Sequence, residues 1–111
     1  MSASLFDLVI RNARAATASD VFDTDIGIKD GRIVQLGLDL PRGSREIDAK
    51  GRVVTPGGVD AHCHLDQPSP PPVRMADGFD TGTLSAVCGG TTTVIPFAAQ
   101  QKGGSLRAAV E

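Results

Sequence analysis

Both histidines of this chain lie in one pentapeptide, Asp60-Ala61-His62-Cys63-His64, two positions apart. An apolar run with a turn, Val53-Val54-Thr55-Pro56-Gly57-Gly58-Val59, leads directly into it. Successive side chains of a β-strand alternate faces, so His62 and His64 project the same way. Asp60 shares their parity and Cys63 takes the opposite side. Two neutral imidazoles on one face are a pair of metal ligands, with a carboxylate beside them to orient or assist. A plainer reading stands next to this one. An isolated His-x-His is usually two unrelated histidines, and two ligands fill only part of a zinc coordination shell.

The other chemically capable residues have simpler explanations. The parity of Cys63 makes it a buried structural thiol, and Cys88, beside Gly89-Gly90, is expected to pack in the core. Asp66, Asp77 and Asp80 suit loop and cap duties better than metal binding. Gly89-Gly90-Thr91 lacks the glycine spacing and lysine of a phosphate-binding loop, and Lys102-Gly103-Gly104-Ser105 lacks the upstream glycine.

The elements that must position the histidines follow from patterning. Residues 5–11 form a candidate strand. Asp25-Ile26-Gly27-Ile28-Lys29 alternates polar and apolar residues, Asp30-Gly31 follows, and Arg32-Ile33-Val34-Gln35-Leu36-Gly37-Leu38 resumes. Strand, Asp-Gly, strand is a hairpin signature, because both central residues of a type I′ turn need positive φ. Pro41-Arg42-Gly43-Ser44 is a turn, and Glu46-Ile47-Asp48 and Arg52-Val53-Val54 are short strands. Residues 1–54 thus read as an antiparallel β-unit.

The pattern changes beyond it. Residues 59–64 form a strand that ends in a loop containing Pro68-Ser69-Pro70-Pro71-Pro72, which belongs in neither a helix interior nor a central strand. Residues 81–87 are helical, with Asp80 as N-cap and Gly89-Gly90 as stop. Phe79, Leu84, Val87 and Cys88 give that helix one apolar side. Residues 91–97, rich in β-branched side chains, form a buried parallel strand. Residues 105–111 begin a helix that Ser105 can cap. Residues 55–111 are therefore β–loop–α–β–(α), the opening of a parallel α/β fold. Barrels of that kind take about 250 residues and gather their chemistry at the carboxyl ends of the strands. His62 and His64 stand at such an end.

Bulk properties narrow the function classes. The chain has 111 residues, enough for one small domain. Hydrophobic residues make up 41% and charged residues 22%, an ordinary globular balance. With no Trp or Tyr, its core must be built from Val, Ile, Leu and Ala. A formal charge of −2 gives no electrostatic reason to bind nucleic acid or an acidic membrane. Two cysteines without CxxC spacing fit a reducing cytoplasm better than a disulfide framework. Met1-Ser2-Ala3-Ser4 has no basic character and Asp7 interrupts the apolar run after it, so no secretory leader is expected. No run approaches the ~20 apolar residues of a membrane span.

Longer motifs now come into view. Pro56-Gly57-Gly58-Val59-Asp60-Ala61-His62-Cys63-His64-Leu65-Asp66-Gln67-Pro68 resembles the first metal-binding strand of the cyclic amidohydrolases. Asp77-Gly78-Phe79, Gly82-Thr83, Ala86, Gly89-Gly90-Thr91-Thr92-Thr93-Val94-Ile95 and Gln101-Lys102-Gly103-Gly104-Ser105-Leu106 are similar to the dihydropyrimidinase (D-hydantoinase) branch, with allantoinases and dihydroorotases as cousins. Asp7-Leu8-Val9-Ile10-Arg11-Asn12-Ala13 and the hairpin at residues 25–36 resemble the small β-sandwich that precedes the barrel in that superfamily. The likeness runs nearly end to end, over the N-terminal part of a much longer enzyme. Gly78 departs from it, standing where relatives often carry a second Asp.

The resemblance implies a metal-dependent hydrolase with a (β/α)8 barrel, of which residues 55–111 would be the first units. His62 and His64 would be ligands of the more buried ion of a two-zinc site, and Asp60 their supporting carboxylate. Residues 65–75 would border the substrate pocket. The bridging carboxylated lysine, two further histidines, a catalytic aspartate and a substrate-orienting tyrosine would come from later strands and loops. The implied partner is a small cyclic amide: a dihydropyrimidine or 5-substituted hydantoin, or else allantoin or dihydroorotate. Neither nucleic acid nor membrane is a partner, and the full-length protein would be a homo-oligomer. The 111-residue chain alone is expected to be inactive. Against the enzyme reading stand a truncated product with weak metal affinity and a non-catalytic scaffold.

Overall fold

A computed structural model describes residues 4–110. Met1-Ser2-Ala3, on which the expectation of no secretory leader partly rests, and Glu111, the last residue of the expected terminal helix, lie outside the described residues. The chain divides into two compact units, Met1–Pro56 and Gly57–Glu111.

The first unit is a single five-stranded sheet of β1 (Phe6–Ala16), β2 (Val21–Lys29), β3 (Arg32–Gly37), β4 (Gly43–Asp48) and β5 (Val53–Val54). The hairpin between β2 and β3 forms at Asp30-Gly31, with φ of 51° and 70°, as a type I′ turn requires. The Asp7 carboxylate fastens it, accepting the Asp30 N–H at 2.7 Å and pairing with Lys29 Nζ at 2.8 Å.

β1 runs five residues further than residues 5–11 suggested, to Ala16. A bulge after Ile10 makes this possible. Arg11 and Asn12 intervene before pairing with β2 resumes at Ala13, and Asn12 adopts φ of 53°. Because of that extra residue, Ile10 and Ala13 share a face with Ile26, forming a cluster with Ala49. Phe6, Val9 and Leu40 form a second cluster.

The expected antiparallel unit is in fact mixed. β2 runs antiparallel to β1 and β3, but β4 and β5 both pair with β1 in parallel. The reason is the link at residues 38–42, which carries the chain from the β3 edge to the other side of β1. Leu40 is only 6% exposed there, in the cluster with Phe6 and Val9. Arg11 Nη1 donates to the Leu40 carbonyl, and the Leu40 N–H donates to Asp25. Burying Leu40 offsets the ordering of this short link.

The second unit contains β6 (Gly58–Cys63), α1 (Phe79–Cys88), β7 (Thr91–Pro96) and α2 (Leu106–Val110). β6 and β7 are parallel, as the β-branched pattern suggested. Burial is different from expectation. No described residue of this unit is buried, and Val59 and Ile95 on the two strands are 63% and 56% exposed. The apolar residues expected to form the packing side of α1, Phe79, Leu84, Val87 and Cys88, are exposed. Its half-buried positions are Gly82 and Ala86, one turn apart. Cys88 is thus not in a core, whereas Cys63 is half-buried. Gly78, not Asp80, is the N-cap of α1, and Asp80 lies in the first turn, where its charge still suits the helix dipole. Ser105 does cap α2, its hydroxyl accepting the Ala108 N–H at 3.1 Å. Among the described residues no helix is long and apolar enough to cross a membrane.

Candidate metal centre

β6 delivers the histidine pair to its own end. His62 is its penultimate residue, and His64 follows it directly. Both side chains are exposed. Their ring centroids are 5.3 Å apart, with the planes tilted by 54°, so the two imidazoles are neighbours. The β6–β7 ladder is irregular between Asp60 and Cys63. There the Asp60 Oδ1 accepts the backbone N–H of His62 at 3.1 Å. Asp60 therefore braces the main chain under the pair and engages neither ring.

Two residues that sequence reasoning left unassigned complete the immediate surroundings. The Phe97 N–H donates to the Cys63 carbonyl at 2.8 Å, carrying the strand pairing one step past β7. Its ring then lies 5.5 Å from that of His62 and 5.3 Å from that of His64, centroid to centroid. Gln67 turns back so that its Oε1 is hydrogen-bonded to His64 Nδ1. The reach of Gln67 spans only three residues, but it depends on the bend at Leu65-Asp66 that folds it back. That of Phe97 depends on the register between two strands.

The loop after the histidines is pinched at its base. Asp66, with φ of 48°, donates its N–H to the Asp77 carbonyl at 3.1 Å. A Cβ on Gly82 would stand 2.3 Å from Leu65 Cδ2, so α1 approaches the loop through a residue with no side chain. A cavity of about 930 Å3 opens here, with Leu65, Gln67, Pro68, Phe79, Phe97 and Ser105 in its wall.

Paired imidazoles are suitable donors for a borderline divalent ion such as zinc, and they would occupy two of four tetrahedral positions. Their adjacency and exposure fit that role. Among the described residues no group of three or more His, Cys, Asp or Glu side chains is assembled to hold a metal, so Asp60, Cys63, Asp66, Asp77 and Asp80 do not extend the pair.

Comparison with known proteins gives a consistent picture. The model of the Amidohydrolase family matches residues 45–109. A D-hydantoinase of Rhizobium radiobacter is 46% identical over 104 residues, which are 94% of this chain and 22% of that protein. An allantoinase of Bacillus licheniformis is 40% identical over 96 residues, covering 86% and 21%. The crystal structure of a D-hydantoinase from a Bacillus species superposes with a TM-score of 0.85 at 42% identity, covering 93% of this chain and 22% of that one. The chain thus spans about a fifth of the length of the curated relatives it matches.

Proposed function

The chain belongs to the amidohydrolase family, and from that premise we propose that it is the N-terminal part of a zinc-dependent cyclic amidohydrolase. The observation that carries this reading is the adjacency of the His62 and His64 rings at the end of β6, next to a cavity. In this reading the first unit is a segment of a β-sandwich. β6, α1, β7 and α2 are the first units of a (β/α)8 barrel.

His62 and His64 hold one ion of a two-zinc site, and Asp60 keeps the His62 backbone in place. A carboxylated lysine, further histidines and a catalytic aspartate belong to later segments. Zinc, when bound, supplies Lewis acidity and a nucleophile competent at neutral pH, which a poorly electrophilic cyclic amide requires. Residues 65–75 border the substrate, and the apolar flank of Phe97 keeps water from one side of the imidazoles. A carboxylate from elsewhere in the molecule passes the proton to the leaving nitrogen.

The favoured substrates are dihydropyrimidines or 5-substituted hydantoins, opened to N-carbamoyl amino acids. The relatives named D-hydantoinase support this choice. Relatives named allantoinase keep allantoin as the alternative, with dihydroorotate behind it. We assign the full-length protein to a homo-oligomer in a reducing cytoplasm, a compartment compatible with the free thiols of Cys63 and Cys88.

Replacing His62 and His64 together by Ala in the longer polypeptide should remove bound zinc and abolish ring opening. Turnover that survives the double substitution refutes the ligand assignment. The 111-residue chain by itself should open none of dihydrouracil, hydantoin, allantoin or dihydroorotate.

A further inference from the structure

The neutral imidazole has one N–H nitrogen and one lone-pair nitrogen, and a metal ligand must present the lone pair. Which nitrogen that is depends on the hydrogen bond made by the other. His64 Nδ1 faces the side-chain carbonyl oxygen of Gln67. An amide oxygen only accepts, so this contact places the proton of His64 on Nδ1 and the lone pair on Nε2. Among the described residues no side chain but Gln67 is hydrogen-bonded to the ring. The Asp60 carboxylate is engaged with the His62 main chain. Phe97 lies against both rings and limits the room His64 has to swing away.

We propose that Gln67 is a positioning residue that holds His64 as the Nδ1–H tautomer and so leaves Nε2 as its metal-binding atom, with Phe97 as the wall that keeps the ring in place. The proposal rests on the metal-site reading for its purpose but not for its geometry. Gln67 also lines the adjoining cavity. No other hydrogen bond engages its side chain among the described residues, so its amide N–H groups are available to an acceptor there.

The metal-free chain allows a direct test, because it contains just two imidazoles to resolve. The tautomers are read from ring nitrogen chemical shifts at a pH of about 8.5, where histidine is neutral. His62→Ala assigns the His64 signals. Wild-type His64 should be the Nδ1–H form. Gln67→Leu should return it to a mixture dominated by Nε2–H, and Gln67→Glu, which keeps an acceptor, should preserve Nδ1–H. Zinc titration of the same variants in the longer polypeptide, which carries the remaining ligands, should show Gln67→Leu weakened by about tenfold and Gln67→Glu less affected. Wild-type His64 found as Nε2–H overturns the proposal without recourse to any variant, and so does a tautomer unchanged in Gln67→Leu. If the tautomers behave as expected but the longer wild-type polypeptide takes up no zinc, the positioning role stands and the metal reading fails.

Discussion

Among individual residues, Asp25 has the heaviest structural duty. It is 6% exposed, and its carboxylate accepts from Arg11 Nη1 at 2.8 Å, the Asn12 N–H at 3.0 Å and the Leu40 N–H at 3.3 Å. It thereby ties the bulge of β1 to the link that crosses the sheet. Burial alone would raise its pKa, but the Arg11 guanidinium and the two backbone donors outweigh it and hold the group below its ordinary 3.8. Asp7 is lowered by Lys29, Glu46 by Arg11 and Asp48 by Asn12. A carboxyl group with a depressed folded pKa takes up its proton more readily in the unfolded chain. Its contribution is therefore complete above the ordinary values of 3.8 for Asp and 4.5 for Glu, and is lost as pH falls through the depressed ones. The thermal midpoint should be flat from neutrality to about pH 5 and then fall. Asp25→Ala should cost about 2–3 kcal/mol at neutral pH, read by urea unfolding, and should flatten part of that acid slope. An unchanged slope would remove Asp25 from this account.

At the scale of elements, the sheet of the first unit depends on close approach at Gly27. A Cβ there would stand 2.6 Å from Phe6 Cε1, and Phe6 is 1% exposed, so the ring cannot retreat into solvent. Gly27→Val should destabilise by about 1–3 kcal/mol, seen as a lower urea midpoint with an unchanged slope. Adding Phe6→Leu should recover part of the loss, whereas additive losses would show that the two positions do not meet. The elements also show where patterning is and is not informative. The Asp30-Gly31 hairpin and the Ser105 cap follow from contacts within a few residues, and both form as expected. The parallel placement of β4 and β5 depends on a link whose route is set by the burial of Leu40 next to Phe6 and Val9, residues far away in sequence. The packing side of α1 departs from its hydrophobic pattern for a related reason. Hydrophobicity marks residues that can be buried, but Gly82 and Ala86 have the small size that lets the helix come close.

For the molecule as a whole, burial is unevenly divided. All the buried residues described, including Phe6, Val9, Ala13 and Ile26, precede Pro56, and none follows. Local stability follows buried apolar contact, so the two units should differ in hydrogen exchange. In the 111-residue chain the slowest amides should lie in β1, β2 and β4, while those of β6, β7 and α1 should exchange orders of magnitude faster. Equal protection in the two units would contradict this. In the longer polypeptide of the proposed enzyme, the strands and helix of the second unit should gain protection, because Val59, Leu84, Val87 and Ile95 would acquire neighbours.

The sequence by itself determined the histidine pair and its place at a strand end, the turn that closes the hairpin, the parallel β–α–β order and the family. These depend on side-chain alternation, local backbone preference and motif, all of which act over short separations. Only the tertiary structure decided that Asp60 braces a backbone and not a ring, that Gln67 and Phe97 flank the imidazoles, that buried Asp25 pairs with Arg11, and that the first sheet is mixed. Most of these depend on strand register and crossing links between distant segments, which local pattern does not encode. Gln67 lies close in sequence, but its pairing with His64 depended on the turn that folds it back.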